Sequence, residues 1–545
     1  MIKHFIFSLT ILSTFMTFSQ SFPVSGPFPI RSLISYDDGE GNLASNGDIY
    51  ADGEYHIIYG LNNGSNIKKP FFIVEGWDPF NNIGLSQYTS LYNDLIVDLR
   101  NNDYDVVFLN FEFSGDYIQK NAHLLVKLIQ QINNQKTTNE KNILMGFSMG
   151  GLVARYALAY MESNNMDHET DKYVSHDSPQ MGANVPLGLQ FFANDLANAP
   201  LVWLVASPTL HKFLEENPSA KQMLNYYFSD SENNVPNPNS LHTDFFSELH
   251  ALSPSNLGFP IKTKNIGLSN GSKNLTHQSN NDANGQLDPG DELVYFRRVD
   301  QYGEIPVCND RVFFNLICTS WEMEPVFGVV EARVLSGFTN DIEVDFDIAG
   351  SDPNKEHNFS SGFRSYDHIS GSFGGWLDDI REALDGNVDE LNIANQFAFI
   401  PTLSALHIGF EDTWAFVGQN IMSNSCHSPF DVVFAETDNN HHVFFSADAK
   451  NFILSEIVTL KKYVETNQIN IGNSTIVSNK DYEAVSIQFN PNVTINSGVL
   501  VETNSGNFEI NGPFNAKLGS ILKLNGGGGM DWDTHNMSCY IPPSN

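Results

Sequence analysis

From residue 69 to residue 179 the chain repeats one unit: a short apolar run, a loop, then a segment whose apolar positions recur with helical period. The runs at 71–74 (FFIV), 106–109 (VVFL) and 143–145 (ILM) are apolar throughout, as strands buried on both faces are. Between the second and third runs, Ile118, Ala122, Leu125, Ile129 and Ile132 fall at helical spacing and predict a helix with one face toward a sheet. A fourth strand is expected at 172–175 (KYVS). Strands and helices alternating in this way predict an α/β fold, a mostly parallel sheet with crossover helices.

After residue 179 the alternation breaks down. Residues 201–205 and 212–227 read as helices and are followed by a polar loop rich in Asn and Pro. The core pattern is expected to resume near 265–268, to be interrupted by a β-rich insertion around 312–344, and to return near 397–406. A last amphipathic helix is expected over 447–464. Beyond residue 466 short alternating runs of Asn, Ser, Gly, Thr and Val, such as 485–489 and 498–501, predict a small all-β module with solenoid-like turns, and the glycines at 526–529 open a tail. The expected organisation is therefore a main domain over 20–465 carrying insertions at about 190–260 and 280–390, then a β-rich accessory module and tail over 466–545.

Length supports that division, because 545 residues exceed one ordinary core. At the N-terminus, Lys3 and His4 precede an apolar run over 5–18, which predicts a signal peptide over 1–19, cleaved after Ser19 or Gln20. The run is shorter than the roughly 20 apolar residues a spanning helix needs, so export is expected and anchoring is not. A net charge of −35, from 29 Lys plus Arg against 64 Asp plus Glu, excludes the basic footprint of a nucleic-acid binder and suits an extracellular protein. The four cysteines, Cys308, Cys318, Cys426 and Cys539, lack the paired spacing of a zinc site. One or two disulfides after export, with Cys308 and Cys318 nearest in sequence, and reduced structural thiols both remain open. Nothing in the pattern fixes an oligomeric state.

The candidate chemistry lies at Gly146-Phe147-Ser148-Met149-Gly150-Gly151, which fits G-x-S-x-G between a predicted strand and a predicted helix over 152–161. Such a turn exposes the serine hydroxyl, and its glycines let strand and helix approach closely. Residues 69–186 resemble the core of α/β-hydrolase lipases and esterases. The stretch GFSMGGLVARY at 146–156 is similar to their nucleophile turn and helix, and VEGW at 74–77 stands where they place an H-G-F-type turn. SPQMG at 178–182 is similar to their T-P-H-x-G segment, and Glu75 and Gln180 replace histidines usual at these places.

The resemblance implies Ser148 as nucleophile, with an oxyanion hole from the backbone N–H groups of Met149 and Trp77. It implies a histidine base between the last core strand and the last core helix, which selects His442 over its neighbour His441. For the acid, relatives often use an Asp after the seventh strand; the similar segment here, FAFIP at 397–401, is apolar. Asp177, closing the strand at 172–175, is expected to take that role, with Asp431, shortly before His442, as the alternative. The segment 201–227 is expected to be a lid over an acyl pocket that opens at lipid surfaces. These assignments imply an exported lipase or esterase acting on an ester or lipid through an acyl-enzyme, with no cofactor. The same triad also serves amidases, thioesterases and lipid deacylases, and a hydrolase-like binding protein is the reading outside catalysis. Asn280, Asp282, Asn284, Gly285, Asp288 and Asp291 fall at the positions of a calcium loop, with Asn first and Asp last; a polar surface loop is the plainer reading.

Overall fold

The computed structural model describes residues 22–191, 217–228, 237–312, 317–336, 366–408 and 428–457 apart from 42–43, 45–46, 80, 281–284, 376, 379, 382–384, 387 and 443. It describes backbone alone at 298–332 and in short strands at 341–342, 357–358 and within 462–525. The expected signal segment and the expected helix at 201–205 lie outside these residues, as do Cys426, Cys539 and the glycines at 526–529.

The apolar runs form the middle of one eight-stranded sheet. In chain order its strands are β1 (Ser25–Arg31), β2 (Asp52–Ile58), β3 (Pro70–Val74), β4 (Asp105–Phe111), β5 (Asn142–Phe147), β6 (Thr170–His176), β7 (Lys264–Ser272) and β8 (Val432–Glu436). They lie side by side as β1-β2-β4-β3-β5-β6-β7-β8. β1 and β2 are antiparallel to their neighbours, and every pairing from β4 to β8 is parallel.

Helices cover both faces, which is why β3 and β5 have no polar side. Phe72 and Val74 pack with α3 (Ile118–Gln135) and α4 (Met149–Ser163) in one core layer. Phe71 and Ile73 pack in the other with α1 (Leu85–Leu91), α2 (Asn93–Asn101) and α7 (Ala447–Ile457). The positions that predicted α3, Ile118, Ala122, Leu125, Ile129 and Ile132, are all fully buried.

Between β6 and β7 the helices α5 (Pro218–Met223) and α6 (Ser240–Leu252) pack on the core. α5 is fastened by Ser219 N–H to the Gly115 carbonyl at 3.2 Å, by Ala183 N–H to the Met223 carbonyl at 2.7 Å, and by Ile118 N–H to Gln222 Oε1 at 2.9 Å. Tyr227 and Phe228 are buried behind it, and Phe245 and Leu249 of α6 are fully buried. Within the expected lid, residues 217–228 are thus part of the fixed body, and 192–216 lie outside the described residues.

Three elements differ from the sequence expectation. The return of the core near 397–406 is not a sheet strand: Ile400–Pro401 pairs only with Gly371–Ser372 and leads into a short helix, Thr402–Ala405. The sheet closes instead with β8, whose short run VVFA at 432–435 carries the apolar signal of a strand. The helix expected over 447–464 is described over Ala447–Ile457, and Lys462–Val464 is a strand that pairs in parallel with 481–483. The β-rich insertion is a hairpin, Glu292–Val312 with Ile317–Leu335, joined by Glu390–Ile393. Its register sets Cys308 opposite Trp321 and Cys318 opposite Arg311. Farther on, parallel pairings such as Lys480↔Val501 and Leu500↔Ile521 stack the strands in solenoid fashion.

The first turn of α4 touches the backbone of its neighbours. A Cβ on Gly150 would lie 2.3 Å from the Glu75 carbonyl oxygen, and one on Gly151 would lie 2.5 Å from Ser178 Cβ. Carbonyls of β3 and its loop cannot rotate aside as a side chain can. Gly150→Ala is therefore expected to destabilise the domain by about 1–3 kcal/mol, read as a lower midpoint of urea unfolding, whereas an unchanged midpoint would mean that strand and helix separate freely.

Candidate active site

β5 ends at Phe147, and the next residue turns the chain sharply. Ser148 has φ 53° and ψ −129°, outside the usual L-residue regions, and caps α4. The conformation costs about 1–3 kcal/mol and is held from both sides. Ser148 N–H donates to the His176 carbonyl at 3.0 Å, and Gly151 N–H donates to the Ser148 carbonyl at 3.0 Å. Asp177 follows β6 in a left-handed conformation of its own, φ 47°, with its N–H on the Leu268 carbonyl at 2.8 Å. His442 lies on the loop between β8 and α7.

These three side chains meet at the C-terminal edge of the parallel strands. His442 Nε2 is 2.8 Å from Ser148 Oγ, and His442 Nδ1 is 2.7 Å from Asp177 Oδ2. A carboxylate beside Nδ1 favours the tautomer with its proton there, which leaves the Nε2 lone pair facing the serine hydroxyl. The Phe147 ring stacks on the imidazole with centroids 5.1 Å apart, and Phe399 meets it edge-on at 5.0 Å. Asp177 is fully buried and His442 nearly so. Ser148, expected to be exposed, is 8% accessible.

The alternatives from the sequence stand elsewhere. Asp431 immediately precedes β8, where its N–H donates to the Asn265 carbonyl at 2.8 Å and its Oδ2 accepts from Asn265 N–H at 2.6 Å. Because β7 and β8 are parallel, this is the opposite edge of the sheet from Ser148. His441 turns away, its ring 4.4 Å from that of Phe373. The apolar segment at 397–401 is not the end of the seventh strand, and its contribution at the site is the Phe399 ring.

Met149, the first residue of α4, has an N–H with no acceptor inside the helix, at its positive end. The loop after β3 lies against the serine: a Cβ on Gly76 would sit 3.0 Å from Ser148 Cβ. The next residue, Trp77, is anchored by its indole N–H on Ser219 Oγ at 3.0 Å, and Asp78 N–H reaches Ser114 Oγ at 2.6 Å. Met149 and the loop that carries Gly76 and Trp77 thus lie beside the serine on two elements. Glu75, where relatives have a histidine, lies behind this loop, fully buried. Burial pushes its carboxyl well above the usual carboxylate range, and one oxygen accepts Phe111 N–H.

A family model described as the PGAP1-like alpha/beta domain matches residues 80–198, the span that holds both Ser148 and Asp177. The chain has the α/β-hydrolase fold. No curated protein sequence matches it. Among solved structures it is similar to Est1E from Butyrivibrio proteoclasticus, at 13% identity over 31% of this chain and 55% of that one, with a TM-score of 0.21. It is also similar to an esterase of Pyrobaculum calidifontis, at 11% identity over 45% and 66%, TM-score 0.27. A third is XC6422 from Xanthomonas campestris, described as an α/β serine hydrolase without lid, at 18% over 24% and 57%, TM-score 0.18. The chain spans a half to two thirds of the length of these structures.

Several residues that shape this site carry no motif. Asn270 and His176 lie behind the triad, and only their closeness to strand ends hinted at them. Gln180 is fixed by Arg155, whose buried guanidinium donates to the Gln180 carbonyl at 3.1 Å and side-chain oxygen at 3.0 Å and lies 3.8 Å over the Phe259 ring. Desolvation lowers this guanidinium to about 9. Within the candidate calcium loop, Asp291 Oδ2 accepts from Asp288 N–H at 2.7 Å and from Asn280 at 3.3 Å, while 282 and 284 lie outside the described residues. Among the described residues no group of three or more His, Cys, Asp or Glu is placed to hold a metal ion. No helix among them is long and apolar enough to cross a membrane.

Two predictions come from this geometry. Asp177→Asn should lower kcat by roughly 10⁴ while Asp431→Asn stays near the parent rate, both checked for folding; the reverse order would move the acid to the loop before the histidine. Glu75→Gln should leave stability unchanged at about pH 3.5, below the carboxyl's unfolded value, and raise it at about pH 9 in urea unfolding. The sign follows from the raised carboxyl: stability is full below its unfolded value and is lost as pH rises through the folded one, a loss the neutral amide does not share.

Proposed function

We propose that this chain is an exported serine hydrolase that cleaves carboxylic esters, lipase- or esterase-like, through an acyl-enzyme on Ser148. The observation that carries the reading is the continuous contact from Ser148 Oγ through His442 to Asp177, at 2.8 and 2.7 Å, on a strand-to-helix turn. As Oγ attacks the ester carbonyl carbon, His442 Nε2 takes its proton, and Asp177 stabilises the imidazolium that forms. The carbonyl oxygen, now negative, is received by the N–H groups of Met149 and Trp77. The tetrahedral intermediate collapses when His442 returns the proton to the departing alkoxide. Water then repeats the sequence on the acyl-enzyme, releasing the acid and restoring Ser148.

The substrate class proposed is an ester or lipid whose acyl part meets apolar surroundings. Phe399, whose ring meets His442 edge-on, supplies apolar surface near the reacting atoms, and Phe444, two residues beyond His442, is exposed. Phe444 also suits transient contact with a lipid surface. Export rests on the positive start and apolar run over 3–18, and the acidic surface accords with it.

The test is a panel of p-nitrophenyl esters from short to long acyl chain, together with a fluorophosphonate probe. Wild-type chain should turn over esters and take the label at Ser148, and Ser148→Ala should lose both while keeping its unfolding midpoint. Turnover by Ser148→Ala near the wild-type rate would remove the nucleophile assignment, and hydrolysis of amides or thioesters alone would move the substrate class.

A further inference from the structure

Behind the triad one buried amide connects both halves of the charge relay's support. Asn270, near the end of β7, is 1% exposed. Its backbone N–H donates to Asp177 Oδ1 at 2.9 Å, the oxygen that His442 does not use. Its carbonyl accepts Asn440 N–H at 2.9 Å. Its side-chain Nδ2 stands within 2.9 Å of the His441 carbonyl, 3.0 Å of the His442 carbonyl and 2.8 Å of the Phe444 carbonyl. Three acceptors around two hydrogens can be served only by an amide NH₂, which fixes the side-chain orientation.

That orientation is read out on the other side. Oδ1 faces His176 Nε2 at 3.2 Å, so this nitrogen carries the proton, and His176 Nδ1 accepts from the Tyr92 hydroxyl at 3.0 Å. Burial pushes His176 down to about 4, so the ring is neutral and holds a single proton. The chain Tyr92, His176, Asn270 therefore has one consistent direction of donation and ends on the backbone of the histidine loop.

We propose that Asn270 is a positioning residue of the acyl-transfer site, one that sets the distance between Asp177 and His442 by holding the aspartate with its backbone and the histidine loop with its side chain. The inference rests on the Ser148 acyl-transfer reading and adds to it a residue that touches neither substrate nor reacting atoms. The loop has other ties, His442 N–H to the Phe373 carbonyl at 2.9 Å and Ser272 N–H to Asn439 Oδ1 at 2.9 Å, but neither reaches Asp177. Without the Asn270 amide, the His441 and His442 carbonyls would lose this donor, the Phe444 carbonyl would keep only its bond with the His176 ring, and the loop could shift relative to the aspartate while staying attached to the body. A shift of about 1 Å at this place costs on the order of 10² in rate, because proton transfer needs serine, imidazole and carboxylate aligned together.

The experiment compares wild type, Asn270→Ala and Tyr92→Phe in steady-state hydrolysis of p-nitrophenyl butyrate, in the rate of fluorophosphonate labelling and in the thermal midpoint. Asn270→Ala should lose about 10²-fold in kcat, with KM within about twofold and slower labelling, because alignment is altered and substrate contacts are not. Tyr92→Phe, which keeps the ring and removes only the far hydroxyl, should lose kcat in the same direction by a smaller factor. A folded Asn270→Ala with wild-type kcat and labelling overturns the inference, as does a rise in KM with kcat unchanged. If Asn270→Ala does not fold, Tyr92→Phe decides by the same split. A wild-type chain that no fluorophosphonate labels overturns the acyl-transfer reading and this inference with it, whereas a labelled wild type with an equally fast Asn270→Ala overturns the inference alone.

Discussion

Close packing at the start of α4, backbone on backbone at Gly150 and backbone on a serine side chain at Gly151, is the constraint on which the site depends. Gly150 lies against the carbonyl of Glu75 and Gly151 against Ser178, so the turn after β5 is wedged between the loops that follow β3 and β6. Any side chain there would force these loops apart. With them in contact, Ser148 is held beside Gly76 and Trp77 on one flank and reaches Asp177 through His442 on the other. The strain of a serine at positive φ is then borne by a neighbourhood that leaves it little room to relax.

The parallel sheet does the rest of the positioning. Adjacent parallel strands end on the same edge, so residues just after β5 and β6 become neighbours without any specific attraction between them. The same rule separates Asp431 from the site, because it precedes its strand and Asp177 follows one. A sequence reading that counts residues between a carboxylate and a histidine favours Asp431. One that asks at which end of a strand each residue lies favours Asp177.

Much of the core was legible because its strands are buried on both faces and leave uninterrupted apolar runs, as at 71–74 and 143–145. The nucleophile turn was legible because glycine is demanded where backbones touch. β8 was harder to see: five residues long, with two of them partly exposed, it leaves a weak signal, while the apolar segment at 397–406 competes with it. That segment is apolar for another reason, since Phe397, Ala398 and Ile400 are buried beneath the loops at the strand ends. Asn270 and His176 could not be recognised from spacing. Their roles come from hydrogen bonds between parts of the chain far apart in sequence, and an Asn near a strand end looks like any turn residue.

His442 is 265 residues from Asp177 and 294 from Ser148, with the whole hairpin insertion between β7 and β8. Serine and aspartate sit on consecutive strands of a compact unit that needs only short crossovers to close. The base joins them only after a loop of more than a hundred residues has been closed, a slow entropic step compared with pairing β5 to β6. The base therefore enters the site through the most non-local contact of the triad, and whether the site is complete depends on where β8 and the loop after it are placed.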